Sequence, residues 1–288
     1  MFTNIHNLPE PVFKALSHDD YNSGLVHSSV TELIDSPRVR ILNRRHKNDI
    51  EIDVSERLWS VLGTAVHNLF ENHADGDYLS EERLFAEVNG WKISGAIDIQ
   101  KTESDGTITV LDYKCTSVWS VIFGKESWAQ QLNFYAYLVR HCKDVQVNKL
   151  QIVAILRDWK HSDAEFKPDY PKCPIMTIDV PLWDNDRQEQ YVRDRVEIHQ
   201  QAEMDYINAS PLSECTDEER WLRPTKYAVM KKGRKRAIKL HDSEQEALDH
   251  AESLGSDHSV DHRIGEAMRC SKYCAVAPWC DQFQREVS

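Results

Sequence analysis

Trp91–Gln100 (WKISGAIDIQ), the turn Ser104-Asp105-Gly106 and Thr107–Lys114 (TITVLDYK) read together as one β-hairpin. Closing it at Asp105 makes cross-strand residue numbers sum to about 210, which sets Asp98 opposite Asp112 with Cβ atoms roughly 4.5–5.5 Å apart. Lys114, two residues beyond Asp112, points the same way. Ile97, Ile99, Val110 and Leu111 flank these charges, a pattern closer to buried central strands than to a wet edge. Two carboxylates held that close repel each other, and charges in such strands are rare unless paired or metal-bound. A divalent cation with oxygen ligands, with Lys114 beside it, answers both points. The alternative is a solvated hairpin face.

Working outward, Ser55–His73 reads as a helix with Ser55 as N-cap and with Leu58, Val61, Leu62, Ala65 and Leu69 as its apolar stripe. His67 falls on nearly the opposite side, one turn from Gly63. A glycine inside a helix costs about 1 kcal/mol relative to Ala and suggests close approach by another backbone. Asn89-Gly90 marks a second hairpin, joining Leu84–Val88 to Trp91 onward. Its register brings Glu81 or Glu82 alongside Asp98, and a one-residue slip exchanges the two. On the helix Glu126–Cys142, the stripe Trp128, Leu132, Tyr135, Ala136 and Val139 faces the core. Gln131 lies one turn before Tyr135 on that helix.

Four short motifs stand in a set order: Gly63-Thr64-Ala65-Val66-His67, Gly95-Ala96-Ile97-Asp98, Asp112-Tyr113-Lys114 and Gln131-Leu132-Asn133-Phe134-Tyr135. In these the chain resembles the PD-(D/E)XK nucleases, in particular their RecB-like exonuclease branch. The resemblance implies an α/β fold, a mixed central sheet flanked by helices as in restriction endonucleases. It implies that Asp98 and Asp112 bind Mg²⁺ or Mn²⁺ with the Tyr113 backbone carbonyl, and that Lys114 helps activate the attacking water. It assigns His67 to the same metal, a nitrogen ligand that favours Mn²⁺. It also sets Gln131 and Tyr135 near the site, touching the DNA strand or orienting the catalytic groups.

Seven cysteines accompany a mixed, polar start without a signal sequence, and no apolar run is long enough to cross a membrane. A reducing cytoplasm is therefore expected, where clustered cysteines suggest metal rather than disulfides. Cys270, Cys274 and Cys280 form a compact C-terminal group, with Cys215 as the best fourth ligand. Four thiolates from one distant and three clustered positions suit a [4Fe–4S] cluster. Zinc, which usually takes tighter C-x2-C pairs, is the alternative. The arrangement is similar to AddB-type and CRISPR-associated RecB-like nucleases. Those place the remote Cys before the nuclease motifs, however, and this chain has one more residue in the first triplet spacing.

The chain carries a formal net charge of −12, which argues against a general nucleic-acid coat protein but not against a local basic surface. Arg223–Lys239 holds eight Lys or Arg and no acid. Lys231, Lys232, Arg234, Lys235 and Arg236 form its centre, on an expected hairpin of Lys226–Met230 with Arg234–Leu240, and phosphate contact is its reading. A capped helix, Ser28–Ile34, precedes the nuclease motifs; a long amphipathic helix, Gln188–Ala209, and a shorter one, Ser243–Leu254, follow them. The expected organisation is an unassigned segment 1–24, a nuclease core 25–200 and an α+β cysteine-bearing portion 201–288. The expected function is a metal-dependent exonuclease for DNA ends or single strands, in recombination, repair or phage DNA processing, with a helicase or recombination partner and no membrane. The rivals are a non-catalytic DNA-binding or assembly subunit and a CRISPR adaptation nuclease.

Overall fold

The computed structural model describes residues 1–18 and 25–287, so part of the unassigned N-terminal segment lies outside the described residues. A six-stranded sheet is built from β1 (Ser28–Ser29), β2 (Tyr78–Val88), β3 (Trp91–Thr102), β4 (Ile108–Thr116), β5 (Val147–Leu156) and β6 (Ile175–Val180). Asn89 and Gly90, at φ 46° and 77°, supply the two left-handed residues that a type I′ turn needs. They pair β2 antiparallel with β3 from Val88↔Trp91 outward. The other edge of β3 takes β1 in parallel at Ile93 and Ser94, then β4 antiparallel with Ile99↔Leu111 and Gln100↔Val110. That is the register implied by a turn centred on Asp105. β5 lies parallel to β4 and β6 antiparallel to β5, so the sheet is mixed.

Helices α1 (Leu58–Glu71), α2 (Val118–Phe123), α3 (Glu126–Lys143) and α4 (Asn185–Ile207) pack around it. α2 and α3 make the crossover that parallel β4 and β5 require. The α3 stripe Trp128, Leu132, Tyr135, Ala136 and Val139 is buried throughout, against a core that includes Ile93, Ile97, Val110, Leu150 and Ile152. Each such aliphatic or aromatic side chain contributes roughly 1.5–3 kcal/mol when fully buried. Gly95 allows that packing. A Cβ there would stand 2.8 Å from Leu138 Cδ1 and 2.9 Å from Tyr135 Cε1. Ser29 caps the helical turn Val30–Leu33 in a reciprocal capping box with Glu32.

α1 departs from expectation. A 3-10 turn, Val54–Arg57, precedes it, and Asp53 is the cap, accepting from Ser55 N at 3.0 Å. The apolar stripe does not face the core: Leu58, Leu62 and Leu69 are exposed. The side turned toward β4 carries His67 and Phe70, and the Phe70 ring centroid lies 4.8 Å from that of Tyr113. Periodicity locates a stripe without saying what covers it. Gly63 admits no close backbone, since nothing lies within 4 Å of a Cβ added there.

By contact density the chain divides into two units, residues 1–41 with 47–212, and residues 42–46 with 213–288. In the second, β7 (Lys226–Lys231) lies between β8 (Lys239–His241) and β9 (His258–Arg263), antiparallel to both. Helix α5 (Glu244–Leu254) covers one face through Val229, Ala247 and Ala251. The expected strand from Arg234 begins only at Lys239. Like charges set directly opposite across a ladder destabilise it, and Lys231, Lys232, Arg234, Lys235 and Arg236 crowd this turn.

His199 of α4 is fully buried, with Nε2 3.2 Å from the carbonyl oxygens of Leu33 and Asp35 and with Nδ1 lacking a partner among the described residues. Burial, then the charges of Arg195 and Arg40, push its pKa down from 6.5 to about 4. Above pH 6.5 the ring is neutral in folded and unfolded chains alike. Below it the unfolded chain takes up a proton that the folded chain refuses, so stability falls until about pH 4. Going from about pH 7.5 to about pH 5 is expected to cost on the order of 2 kcal/mol, or roughly 4–8 °C in Tm. His199→Gln should flatten that slope in thermal melts. An unchanged slope would assign the acid sensitivity elsewhere.

Candidate active site

A cleft of about 680 Å³ lies between α1, the strand ends of β2–β4 and the start of α3. His67, Glu81, Asp98, Asp112, Tyr113, Lys114, Gln131 and Tyr135 all line it. Asp98 is buried, and its Oδ2 accepts from Tyr113 N at 2.8 Å. His67 Nε2 stands 3.6 Å from that same oxygen and 3.2 Å from the Tyr113 carbonyl oxygen. Gln131 Nε2 donates to the Tyr135 hydroxyl at 2.9 Å, which holds both side chains at one wall.

Glu81, rather than Glu82, joins this group. Its Oε1 lies 3.5 Å from His67 Nδ1, and His67, Glu81 and Asp98 each present a ligand atom within 4.8 Å of the others. Glu82 turns away to Gln100 and Lys143. The difference comes from the backbone. Glu81 adopts φ 50°, and the β2–β3 ladder passes from Ser80↔Ile99 to Glu82↔Ile97 without it. The register is the same on both sides of Glu81, so the Asn89-Gly90 turn, carried along the two strands, sets Glu81 opposite Asp98.

Asp112 is 1% exposed, and neither of its carboxylate oxygens has a hydrogen-bond partner of acceptable geometry among the described residues, although Lys114 Nζ lies 2.6 Å from Oδ2. A buried carboxylate costs several kcal/mol unless its lone pairs are met. Burial, and then the charge of Asp112, push Asp98 up to about 7. Burial alone would lower His67, but its hydrogen bond to Glu81 and the charges of Asp98 and Asp112 raise it above its ordinary value. Lys114 is likewise raised, the attraction of Asp112 and Asp98 outweighing its burial. The site therefore holds more negative charge than its own cations neutralise. A buried carboxylate pair, a third carboxylate, a backbone carbonyl and an imidazole form a donor set that fits a divalent cation.

The other expected residues lie in the second unit. Lys231, Lys232, Arg234, Lys235 and Arg236 are exposed on and beyond the end of β7. Cys280 is buried, and Cys215, Cys270 and Cys274 are half-buried. The Cys270 thiol is pushed up by burial and then by Cys274 and Cys280. Gln282 exchanges two hydrogen bonds with the backbone of Cys215, 2.8 Å to its nitrogen and 3.0 Å to its oxygen, which ties the remote cysteine to the segment just after Cys280.

The mixed sheet thus carries two carboxylates and a lysine on adjacent strands that line one cleft. A sequence profile of the PD-(D/E)XK nuclease superfamily matches residues 78–281, and the chain belongs to that superfamily. Membership makes it a nuclease by family, a hydrolase of a class that uses divalent metals and acts on DNA. No protein of curated function is matched by its sequence. A crystal structure of SSO0001 overlaps 65% of this chain and 84% of that one, at 19% identity and a TM-score of 0.44. No helix among the described residues is long and apolar enough to cross a membrane.

Proposed function

We propose that this chain is a Mg²⁺- or Mn²⁺-dependent deoxyribonuclease of the RecB-like branch. It acts exonucleolytically at DNA ends or on single strands in recombination, repair or phage-type DNA processing in the cytoplasm, with a helicase or recombination partner. The observation that carries the reading is the Asp98–Asp112 pair, buried, short of hydrogen bonds and flanked by Lys114. His67, Asp98, Asp112 and the Tyr113 carbonyl would hold the metal, with Glu81 as a further ligand. A divalent cation bound there lowers the pKa of a coordinated water and neutralises charge on the scissile phosphate. Lys114 orients the attacking water or meets the negative charge developing on the phosphate. Gln131 and Tyr135 fix the wall against which the strand lies. Lys231, Lys232, Arg234, Lys235 and Arg236 supply sequence-independent phosphate contact. Fluorescently labelled DNA with Mn²⁺ tests the reading directly: degradation is expected, and a chain that binds DNA but never cuts it would be the non-catalytic subunit instead.

Glu81 offers a separate test. An L-residue in the left-handed region costs roughly 1–2 kcal/mol, a strain of the kind kept where a side chain is needed in place. Glu81→Gly removes both strain and carboxylate. It should raise Tm in EDTA by a few degrees (roughly 2–4 °C per kcal/mol) while weakening Mn²⁺ binding about tenfold or more, given how strongly affinity follows ligand charge. Glu81→Ala should weaken the metal equally with no gain in Tm. Unaltered Mn²⁺ affinity in both variants would remove Glu81 from the ligand set.

Cys215, Cys270, Cys274 and Cys280 would hold a [4Fe–4S] cluster that pins the C-terminal segment, a role supported by their soft thiolates and by the Gln282 clamp. Anaerobically purified protein is expected to be brown, to absorb near about 400 nm and to contain about four irons. A colourless, zinc-loaded protein would replace the cluster with zinc and leave the nuclease reading intact.

A further inference from the structure

Beyond the acidic cleft, the first unit displays aromatic rings where a soluble surface rarely leaves them. Trp119 and Phe123 of α2 are 60% and 77% exposed. Four residues apart on one helical face, they stack with centroids 5.5 Å apart and planes 10° from parallel. Trp59, 51% exposed, lines the cleft itself, and the Arg157 guanidinium carbon lies 4.6 Å from the centre of its ring. These groups adjoin the catalytic strand. Arg157 N donates to Thr116 O at 3.0 Å, two residues beyond Lys114, and Val118 N, at the head of α2, donates to Asp158 Oδ1 at 2.8 Å.

Cations stand beside these rings. Arg157 lies over Trp59, and Lys125, two residues past Phe123, is held below the usual lysine range by burial and by the positive charges of Arg157 and Lys114. Of the acids on these segments, Asp158 is engaged with Val118 N, and Glu126 opens α3 beside Lys125. Flat apolar faces edged by cations match a ligand with flat apolar faces and a phosphate at every step. In a duplex those base faces are already stacked on one another. In an unpaired strand they are free to lie on Trp and Phe.

We propose that Trp119, Phe123 and the Arg157-covered Trp59 form a base-stacking rim that leads an unpaired DNA strand, rather than a duplex, into the cleft. The proposal rests on the nuclease reading of that cleft and deepens it by specifying the state of the substrate. The first bases lie on the Trp119–Phe123 stack, Arg157 and Lys125 take the intervening phosphates, and the scissile phosphate arrives at Lys114.

The experiment is fluorescence anisotropy of the full chain in EDTA, so that nothing is cut. The probes are an oligothymidine of about 16 nucleotides, the upper end of what one such groove covers, and a duplex of equal length. Trp119→Ala/Phe123→Ala should weaken oligothymidine binding roughly 10–100-fold, on the scale of base–aromatic stacking, and leave duplex binding within about threefold. Trp119→Tyr/Phe123→Tyr should restore it, and Arg157→Ala should lower the salt slope by about one. Equal losses for single strand and duplex, or no loss at all, would overturn the proposal. So would a double variant whose only change is loss of a dimer in sedimentation, which would make the rim an interface between copies. The two readings fail separately. A chain that cuts duplex with Mn²⁺ while ignoring the rings stays a nuclease without this rim. Ring-dependent oligothymidine binding with no cleavage in Mn²⁺ keeps the rim and removes the nuclease.

Discussion

Asp112→Asn is expected to lower Mn²⁺-dependent DNA cleavage by at least about 10³-fold, the upper end of what removing one preorganised electrostatic contact costs. The substitution keeps shape and volume but takes away a buried charge met only by the Lys114 ammonium at Oδ2. It also relieves Asp98, whose carboxyl is held up near 7 by burial and then by Asp112. Two further readouts separate lost chemistry from lost folding. In EDTA the variant should melt within a few degrees of the parent, since the repulsion removed offsets the ion pair to Lys114 that is lost. With Mn²⁺ at about 100 times its Kd, the parent should gain about 2.7 kcal/mol, or roughly 5–10 °C in Tm, and the variant should gain almost nothing. Cleavage at parental rates, or a parental Mn²⁺ shift, would remove Asp112 from the metal site.

Lys114→Ala should produce the opposite pairing of results. Cleavage is expected to fall about 10²–10³-fold, because the group that meets the attacking water or the developing charge is gone. Metal binding should persist or tighten, because Lys114 Nζ, 2.6 Å from Asp112 Oδ2, competes as a cation for the carboxylate a metal would use. The Mn²⁺-induced rise in Tm should therefore be at least as large as in the parent. Loss of that rise together with activity would mean that Lys114 organises the site rather than serving its chemistry. A variant that still cuts DNA at full rate would contradict the assignment outright. Measured side by side, the two substitutions divide the cleft into a part that binds metal and a part that acts beside it.

The hairpins were the most legible feature. Asn89-Gly90 and Asp105-Gly106 are turns whose left-handed residues dictate a two-strand register, and the Ile99↔Leu111 and Gln100↔Val110 pairs follow from the second. The α3 stripe was equally plain, although the helix is buried on every side from Gln131 to Val139, more than a stripe alone requires. α1 was misread, since an apolar stripe says nothing of its cover: Leu58, Leu62 and Leu69 are exposed while His67 and Phe70 turn toward β4. The basic turn also shortened its returning strand to Lys239–His241, where like charges oppose pairing. Trp59, Trp119 and Phe123 attracted no attention as residues in sequence, since exposure and stacking are properties of the folded surface.

By itself the sequence determined that β2 pairs with β3 and β3 with β4, and the register that brings Asp98, Asp112 and Lys114 together, because turn chemistry and alternation act over neighbouring residues. Only the tertiary structure decided that His67 reaches Asp98 and the Tyr113 carbonyl, and that aromatic rings border the catalytic strand. Those outcomes depend on contacts between segments far apart in the chain. Local propensity carries no information about either.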